Sequence, residues 1–105
     1  MIFVEATVFS RQVTASLSDR EHRAMKEHLV RHPDAGAVIR GTGGITKLRW
    51  RGEGHGKRGG ARFIYYRAIA EDRILMLFMY LKNEKDGISS QERKTLRGIV
   101  KQEDK

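Results

Sequence analysis

The sequence is 105 residues long, the length of one domain, and it contains no cysteine, which excludes disulfides and thiolate metal sites. We therefore expect a single domain over residues 1–105, and the missing cysteines are consistent with the reducing cytoplasm. The N-terminal residues lack the pattern of a secretory signal, and the longest apolar run, Ile74 to Leu81, is too short for a membrane helix. We expect no membrane partner.

The positive charge is concentrated in one quarter of the chain. The formal net charge is +8, and residues 40–67 carry eight basic residues and one acidic residue. By contrast, residues 1–39 carry five of each sign, and residues 68–105 carry eight basic and seven acidic residues. A concentrated basic block is typical of proteins that bind a polyanion, and the alternative is a generic solvated surface.

The first third of the sequence predicts a strand followed by two helices. Residues 2–6 are expected to form a short edge strand, and the four-residue spacing of apolar side chains predicts a helix over residues 8–17. Ser18 and Glu21 form a capping box that begins a second helix. Pro33 ends this helix, because the residue before a proline avoids the helical conformation.

The remainder of the sequence predicts three consecutive strands and a last helix. The strands are expected at residues 45–51, 62–69 and 74–81. A loop with five glycines, residues 52–60, separates the first two strands. A second capping box at Ser89 and Glu92 begins the C-terminal helix. The short connections between the strands predict antiparallel pairing.

The predicted fold class is therefore α+β, with two N-terminal helices and a C-terminal helix packed on a small, mainly antiparallel sheet. Alternation along the first of the three strands places Lys47, Arg49 and Arg51 on one side of the sheet. We expect the helices to cover the other face. These three cations, together with Arg58 of the glycine-rich loop, would then bind RNA.

The residues suited to chemistry are cations and tyrosines. The carboxylates are scattered, and the helical pair His28 and His32 lacks an evident third ligand, so we expect neither a metal nor another cofactor. RNA cleavage needs a base for the 2′-OH, cations for the phosphate and an acid for the 5′-oxygen, roles that Lys, Arg and Tyr can serve. The alternative is that the strand tyrosines are core residues and the arginines are only solvated. The catalytic candidates are Lys57, Arg62, Tyr66, Tyr80 and Lys82.

Several segments, in one order over almost the whole chain, resemble the HigB branch of the RelE toxin superfamily. They are residues 41–45 (GTGGI), 47–49 (KLR), 54–62 (GHGKRGGAR), 64–66 (IYY) and 80–84 (YLKNE), with FVE at 3–5 and ERK at 92–94. The resemblance implies the same α+β fold and the function of a toxin in a type II toxin–antitoxin system. Such a toxin enters the ribosomal A site, cuts mRNA and inhibits translation. A cognate antitoxin, expected to be a helix-turn-helix DNA-binding protein, would block it.

By position, the resemblance also implies roles for individual residues. Arg62 matches the strand arginine that contacts the scissile phosphate, and Lys57 lies near the basic positions that precede it. Lys82 and Glu84 match the segment after the central strand.

The chain departs from the family pattern at two places. Asn83 stands where the best-known members carry a second arginine, and Ser89 and Ser90 stand where a late catalytic tyrosine is expected. Tyr66 or Tyr80 is expected to substitute for that tyrosine. The sequence thus predicts a metal-independent, ribosome-dependent mRNA endoribonuclease that uses the RNA 2′-OH as nucleophile. The alternatives are a non-catalytic RNA- or ribosome-binding regulator of translation and an interaction protein with an acidic partner.

Overall fold

The computed structural model describes residues 1–51, 60–85 and 87–103. In chain order the elements are β1 (Ile2–Glu5), α1 (Thr7–Ser16), α2 (Asp19–Arg31), β2 (Ala37–Val38), β3 (Thr46–Trp50), β4 (Ala61–Ala68), β5 (Arg73–Leu81) and α3 (Ser90–Glu103). The α+β class predicted from the sequence is confirmed. Among the described helices, none has the length and apolar character needed to cross a membrane.

The strands form a single five-stranded sheet in the order β1-β5-β4-β3-β2. The strands from β2 to β5 pair antiparallel with their neighbours, whereas β1 runs parallel to β5 at the edge. The expected edge strand at the N-terminus is therefore confirmed. No sequence pattern predicted β2, because its two exposed residues, Ala37 and Val38, are too few to produce an alternating pattern.

The capping boxes begin helices as expected. The Ser18 side chain accepts a hydrogen bond from the backbone N–H of Glu21 at 3.1 Å, at the start of α2. At α3 both bonds of the box form: the Ser89 N–H donates to Glu92 Oε1 at 2.9 Å, and the Glu92 N–H donates to Ser89 Oγ at 3.1 Å. These bonds satisfy N–H groups that would otherwise lack partners in the first turn.

Helices cover both faces of the sheet, which corrects the expectation that one face would remain free. On the first face, Phe9 of α1 and Leu29 of α2 pack on strand residues that include Phe63. On the second face, Leu96 and Val100 of α3 pack in a separate cluster with strand residues. The predicted basic face is therefore shared with α3, because the apolar stripe of this helix must also be buried.

A β-bulge in β5 decides which side chains reach the second face. Ile64 pairs with Phe78 and Tyr65 pairs with Met76, so Leu77 is an extra residue on β5. Regular alternation from Met76 would place Tyr80 under α1 and α2. The extra residue reverses the alternation, and Tyr80 lies in the cluster on the α3 face instead.

Candidate nucleic-acid interface

Two arginines and a tyrosine lie side by side across three neighbouring strands. Arg49 of β3 is directly opposite Arg62 of β4, and Arg62 is directly opposite Tyr80 of β5. Neighbouring strands are about 4.8 Å apart, so the three residues span about 10 Å. In each strand, the residues immediately before and after pack beneath α1 and α2. Because side chains alternate along a strand, Arg49, Arg62 and Tyr80 all point to the α3 face. We call Arg49, Arg62 and Tyr80 the cross-strand row.

The two arginines of the row are direct neighbours of like charge. Such a pair destabilises a sheet, and a buried guanidinium carries a further desolvation cost. Yet Arg62 is only 7% exposed, whereas Arg49 is exposed. Nη1 of Arg62 donates a hydrogen bond to the carbonyl oxygen of Ala61 at 3.3 Å. Two planar guanidiniums at this spacing are suited to bind a phosphate, because the anion would relieve their repulsion.

The phenol of Tyr80 is suited to donate a proton. Its ring stacks on Phe78 with 6.4 Å between centroids, and the residue is 8% exposed. Burial raises the pKa of the Tyr80 hydroxyl above its ordinary value of 10.0, although the charges of Arg62 and Lys85 act in the opposite direction. The negative charge of Glu92 raises this pKa further. The hydroxyl is therefore protonated at neutral pH, as a general acid must be, and the charges of Arg62 and Lys85 partly offset the loss of acidity that burial causes.

An ion pair that the sequence did not predict joins the turn after β5 to the first turn of α3. Nζ of Lys85 lies 2.8 Å from Oε1 of Glu92, the same oxygen that accepts the Ser89 N–H. The hydrogen bonds from Lys85 and Ser89 lower the pKa of Glu92. The capping box therefore also fixes the charge of Lys85 near Tyr80. The capping-box pattern identified Glu92 as the start of a helix, but no motif pointed to Lys85.

Lys82 lies in the turn after β5, and its backbone is bonded to the start of β4. Its N–H donates to the carbonyl oxygen of Gly60 at 3.0 Å. Gly60 has a φ of +71°, and a Cβ there would lie 2.3 Å from the carbonyl oxygen of Trp50. Only glycine fits this position. The entry into β4 and the Lys82 turn are therefore held together next to Arg62.

The other predicted residues lie farther from the row or outside the described part of the chain. Tyr66 is four residues along β4 from Arg62, a separation of roughly 13 Å, so the structure does not bring the two together. Lys47 is half-exposed on β3, and Arg51 is exposed just beyond the end of this strand. Two of the predicted residues, Lys57 and Arg58, lie outside the described ranges.

Within residues 1–51, 60–85 and 87–103, no three His, Asp or Glu side chains lie close enough together to hold a metal ion. The rings of His28 and His32 are 5.2 Å apart, without a third ligand among the described residues. The expectation that the protein needs no metal or cofactor stays a prediction.

Two comparisons with known proteins agree with this architecture. A family model described as the RelE toxin of the RelE/RelB toxin–antitoxin system matches residues 1–105. Among solved structures, the chain is similar to an arginine-to-alanine double mutant of the E. coli toxin RelE in the free state. That match has a TM-score of 0.57 and 14% identity, and it covers 94% of this chain and 95% of the other. At this identity the structural similarity concerns the fold alone.

Proposed function

Because the chain belongs to the RelE toxin family, whose toxins are paired with an antitoxin, we propose that it inhibits translation by cutting mRNA held in the ribosome. The observation that carries this proposal is the cross-strand row, in which two arginines face each other beside a buried tyrosine. The row combines a phosphate-binding pair with a proton donor, two of the three groups that RNA strand cleavage needs, the third being a base.

In the proposed reaction, a base removes the proton from the RNA 2′-OH, and the 2′-oxygen attacks the neighbouring phosphorus. Arg62 and Arg49 stabilise the negative charge that accumulates on the phosphate oxygens. The bond to the 5′-oxygen breaks, and Tyr80 donates its proton to this leaving group. We assign proton removal to Lys57 or Lys82, two of the catalytic candidates from the sequence, and substitution of each in turn identifies which one acts. Lys47, Arg51 and Arg58 would bind the flanking RNA backbone.

This reaction requires no metal ion and leaves a 2′,3′-cyclic phosphate or 3′-phosphate on the upstream fragment. The test uses purified protein on ribosomes programmed with a defined mRNA, in the presence of a chelator selective for transition metals. We expect cleavage to continue and the upstream fragment to carry a phosphate. A 3′-hydroxyl product, cleavage at a 2′-deoxy site, or loss of activity when zinc or manganese is removed would contradict the mechanism.

The proposed target places the toxin in the cytoplasm, where a cognate antitoxin would keep it inactive. Induced expression should stop growth and create new mRNA 5′ ends, and co-expression of the antitoxin should restore growth. RNA or ribosome binding without new ends would instead favour the non-catalytic regulator of translation. Normal growth despite confirmed soluble expression would refute the toxin function for this chain.

A further inference from the structure

A cavity lies at the outer edge of β3, next to the cross-strand row. It has a volume of about 520 Å³ and is lined by His28 of α2, residues 35–37, and Lys47, Leu48 and Arg49 of β3. This volume falls within the usual range of ligand sites, about 300–1,000 Å³. The cavity and the row share Arg49 at the edge of the sheet, with His28 on the face of α1 and α2 and the row on the face of α3.

The cavity exists because β2 is short and the chain before it has small side chains. Ala37 pairs with Lys47, and no described strand pairs with the outer edge of β3 beyond that residue. A Cβ at Gly36 would lie 2.5 Å from the carbonyl oxygen of Lys47, so this segment packs directly on the strand. The buried Tyr65 holds the segment, since its hydroxyl donates to the Pro33 carbonyl at 3.0 Å and accepts from the Gly36 N–H at 3.4 Å. The wall of the cavity is therefore fixed by the fold.

The chemistry of the lining suits a nucleobase. The half-buried imidazole of His28 packs in a tilted arrangement against Trp50, at 5.7 Å, and against His32, at 5.2 Å. An imidazole offers an aromatic face and both a donor and an acceptor nitrogen when it is neutral. Lys47 and Arg49 also line the cavity, and their side chains alternate towards the α3 face, so a nucleotide at the strand edge would contact both the imidazole and these cations. Aromatic rings flanked by cations bind the splayed bases and phosphates of single-stranded RNA.

We propose that this cavity binds one base of the RNA substrate while a neighbouring phosphate lies on the cross-strand row. The inference rests on the proposed function and deepens it, because it assigns a specificity-determining site that the cleavage chemistry does not require. His28 would contact the base directly. The toxin would then prefer certain nucleotides at one position relative to the cleavage site.

The experiment measures binding of the full chain to a short single-stranded oligoribonucleotide that carries 2′-deoxyribose at the cleavage position, so no cutting occurs. Each base of the oligonucleotide is removed in turn. We expect one abasic position near the cleavage site to weaken wild-type binding about 5- to 150-fold, the range typical of losing one base–aromatic stack. His28→Ala should weaken binding of the intact oligonucleotide and lose its sensitivity to that abasic position, as a double-mutant cycle requires.

Two further variants make the result specific. Ala35→Leu keeps His28 but fills the cavity, and it should reproduce the loss of base sensitivity. Val30→Ala changes an exposed, uncharged residue of the same helix that does not line the cavity, and it should behave like the wild type.

Equal sensitivity to base removal in the wild type, His28→Ala and Ala35→Leu would overturn the proposal, as would the absence of binding at low salt. It would also be overturned if both variants bound RNA normally but lost affinity for the antitoxin, since the strand edge would then be a protein-binding surface. Failure of the proposed function is seen separately: native-ribose mRNA on programmed ribosomes would not be cut, whereas base-dependent binding would remain.

Discussion

The two faces of the sheet differ in how the charges of their polar side chains are paired. On the face covered by α1 and α2, the carboxylate of Glu5 receives hydrogen bonds from Ser10 at 2.9 Å and from Lys26 at 2.9 Å, and it lies 2.7 Å from His22. Opposite charges and donors are matched there. On the face of α3, Arg49 and Arg62 lie directly opposite each other with like charge.

This difference separates stability from function within a single sheet. A matched polar cluster above an apolar core stabilises the fold, whereas two directly opposed arginines repel each other, and a bound phosphate would reduce this repulsion. Substitutions on the first face should therefore change the free energy of unfolding with little effect on the chemistry. Substitutions of Arg49 and Arg62 in the cross-strand row should mainly change the chemistry.

The largest expected effect comes from Phe63→Ala on the first face. Phe63 is fully buried and its ring lies 6.1 Å from that of Phe9. Truncating a buried Phe removes apolar contacts and leaves a cavity, which typically costs about 3–5 kcal/mol. Urea unfolding followed by circular dichroism measures this loss. A change below about 1 kcal/mol would show that this face is not the stabilising core.

Arg62, the residue next to Phe63 on β4, tests the face of the sheet that α3 covers. Arg62→Ala should reduce RNA cleavage about 100- to 1,000-fold, because it removes a preorganised donor to the charged transition state, while the chain stays folded. The measurement is the rate of mRNA cleavage on programmed ribosomes. Arg67→Ala is the matched control, since Arg67 is on the same strand but points to the opposite face. Equal rates for the two variants would refute the role of Arg62.

A smaller effect concerns Lys85 and Glu92, the two charged residues of the ion pair near Tyr80. The direction of each change can be checked. Lys85→Met should lower the cleavage rate by up to about fivefold, the equivalent of about 1 kcal/mol. The charge of Lys85 opposes the rise in the pKa of Tyr80, so its removal should raise that pKa and make the phenol a weaker acid. The alkaline limb of the pH–rate profile should therefore move to higher pH.

Glu92→Gln should move the alkaline limb of the pH–rate profile to lower pH, because the charge of Glu92 raises the pKa of Tyr80. Glutamine also serves in a capping box, so α3 should keep its first turn. Comparison of the two pH–rate profiles therefore separates electrostatics from folding. Shifts of the same sign in both variants, or none in either, would rule out Tyr80 as the proton donor.

The smallest effect concerns Glu5. Burial raises the pKa of Glu5, but hydrogen bonds from Lys26, Ser10 and His22 outweigh it and lower the pKa below 4.5. The carboxylate therefore stabilises the folded state above pH 4.5, and this contribution is lost as the pH falls through the lowered value. Glu5→Gln should cost about 1 kcal/mol at pH 7 and converge with the wild type in acid. Urea unfolding at both pH values measures this difference, and cleavage should not change.

Much of the fold followed from local patterns in the sequence. The capping boxes depend on residues three positions apart, so Ser18 and Ser89 mark helix starts without any tertiary information. The strands β3, β4 and β5 alternate or are continuously apolar, and they were predicted close to their observed bounds. By contrast, β2 depends on pairing with β3, and the position of α3 on the second face depends on which apolar surface remained uncovered.

The sequence by itself determined the chemical character of this protein: a basic segment over residues 40–67, without cysteine, with Arg62 and Tyr80 among the candidates. Only the tertiary structure decided which of these residues meet. Register places Arg49 opposite Arg62, and the one-residue bulge at Leu77 turns Tyr80 towards them, while Tyr66 lies farther along the strand. The physical reason is that side chains on a strand change face at every residue, so a single extra residue reverses the outcome.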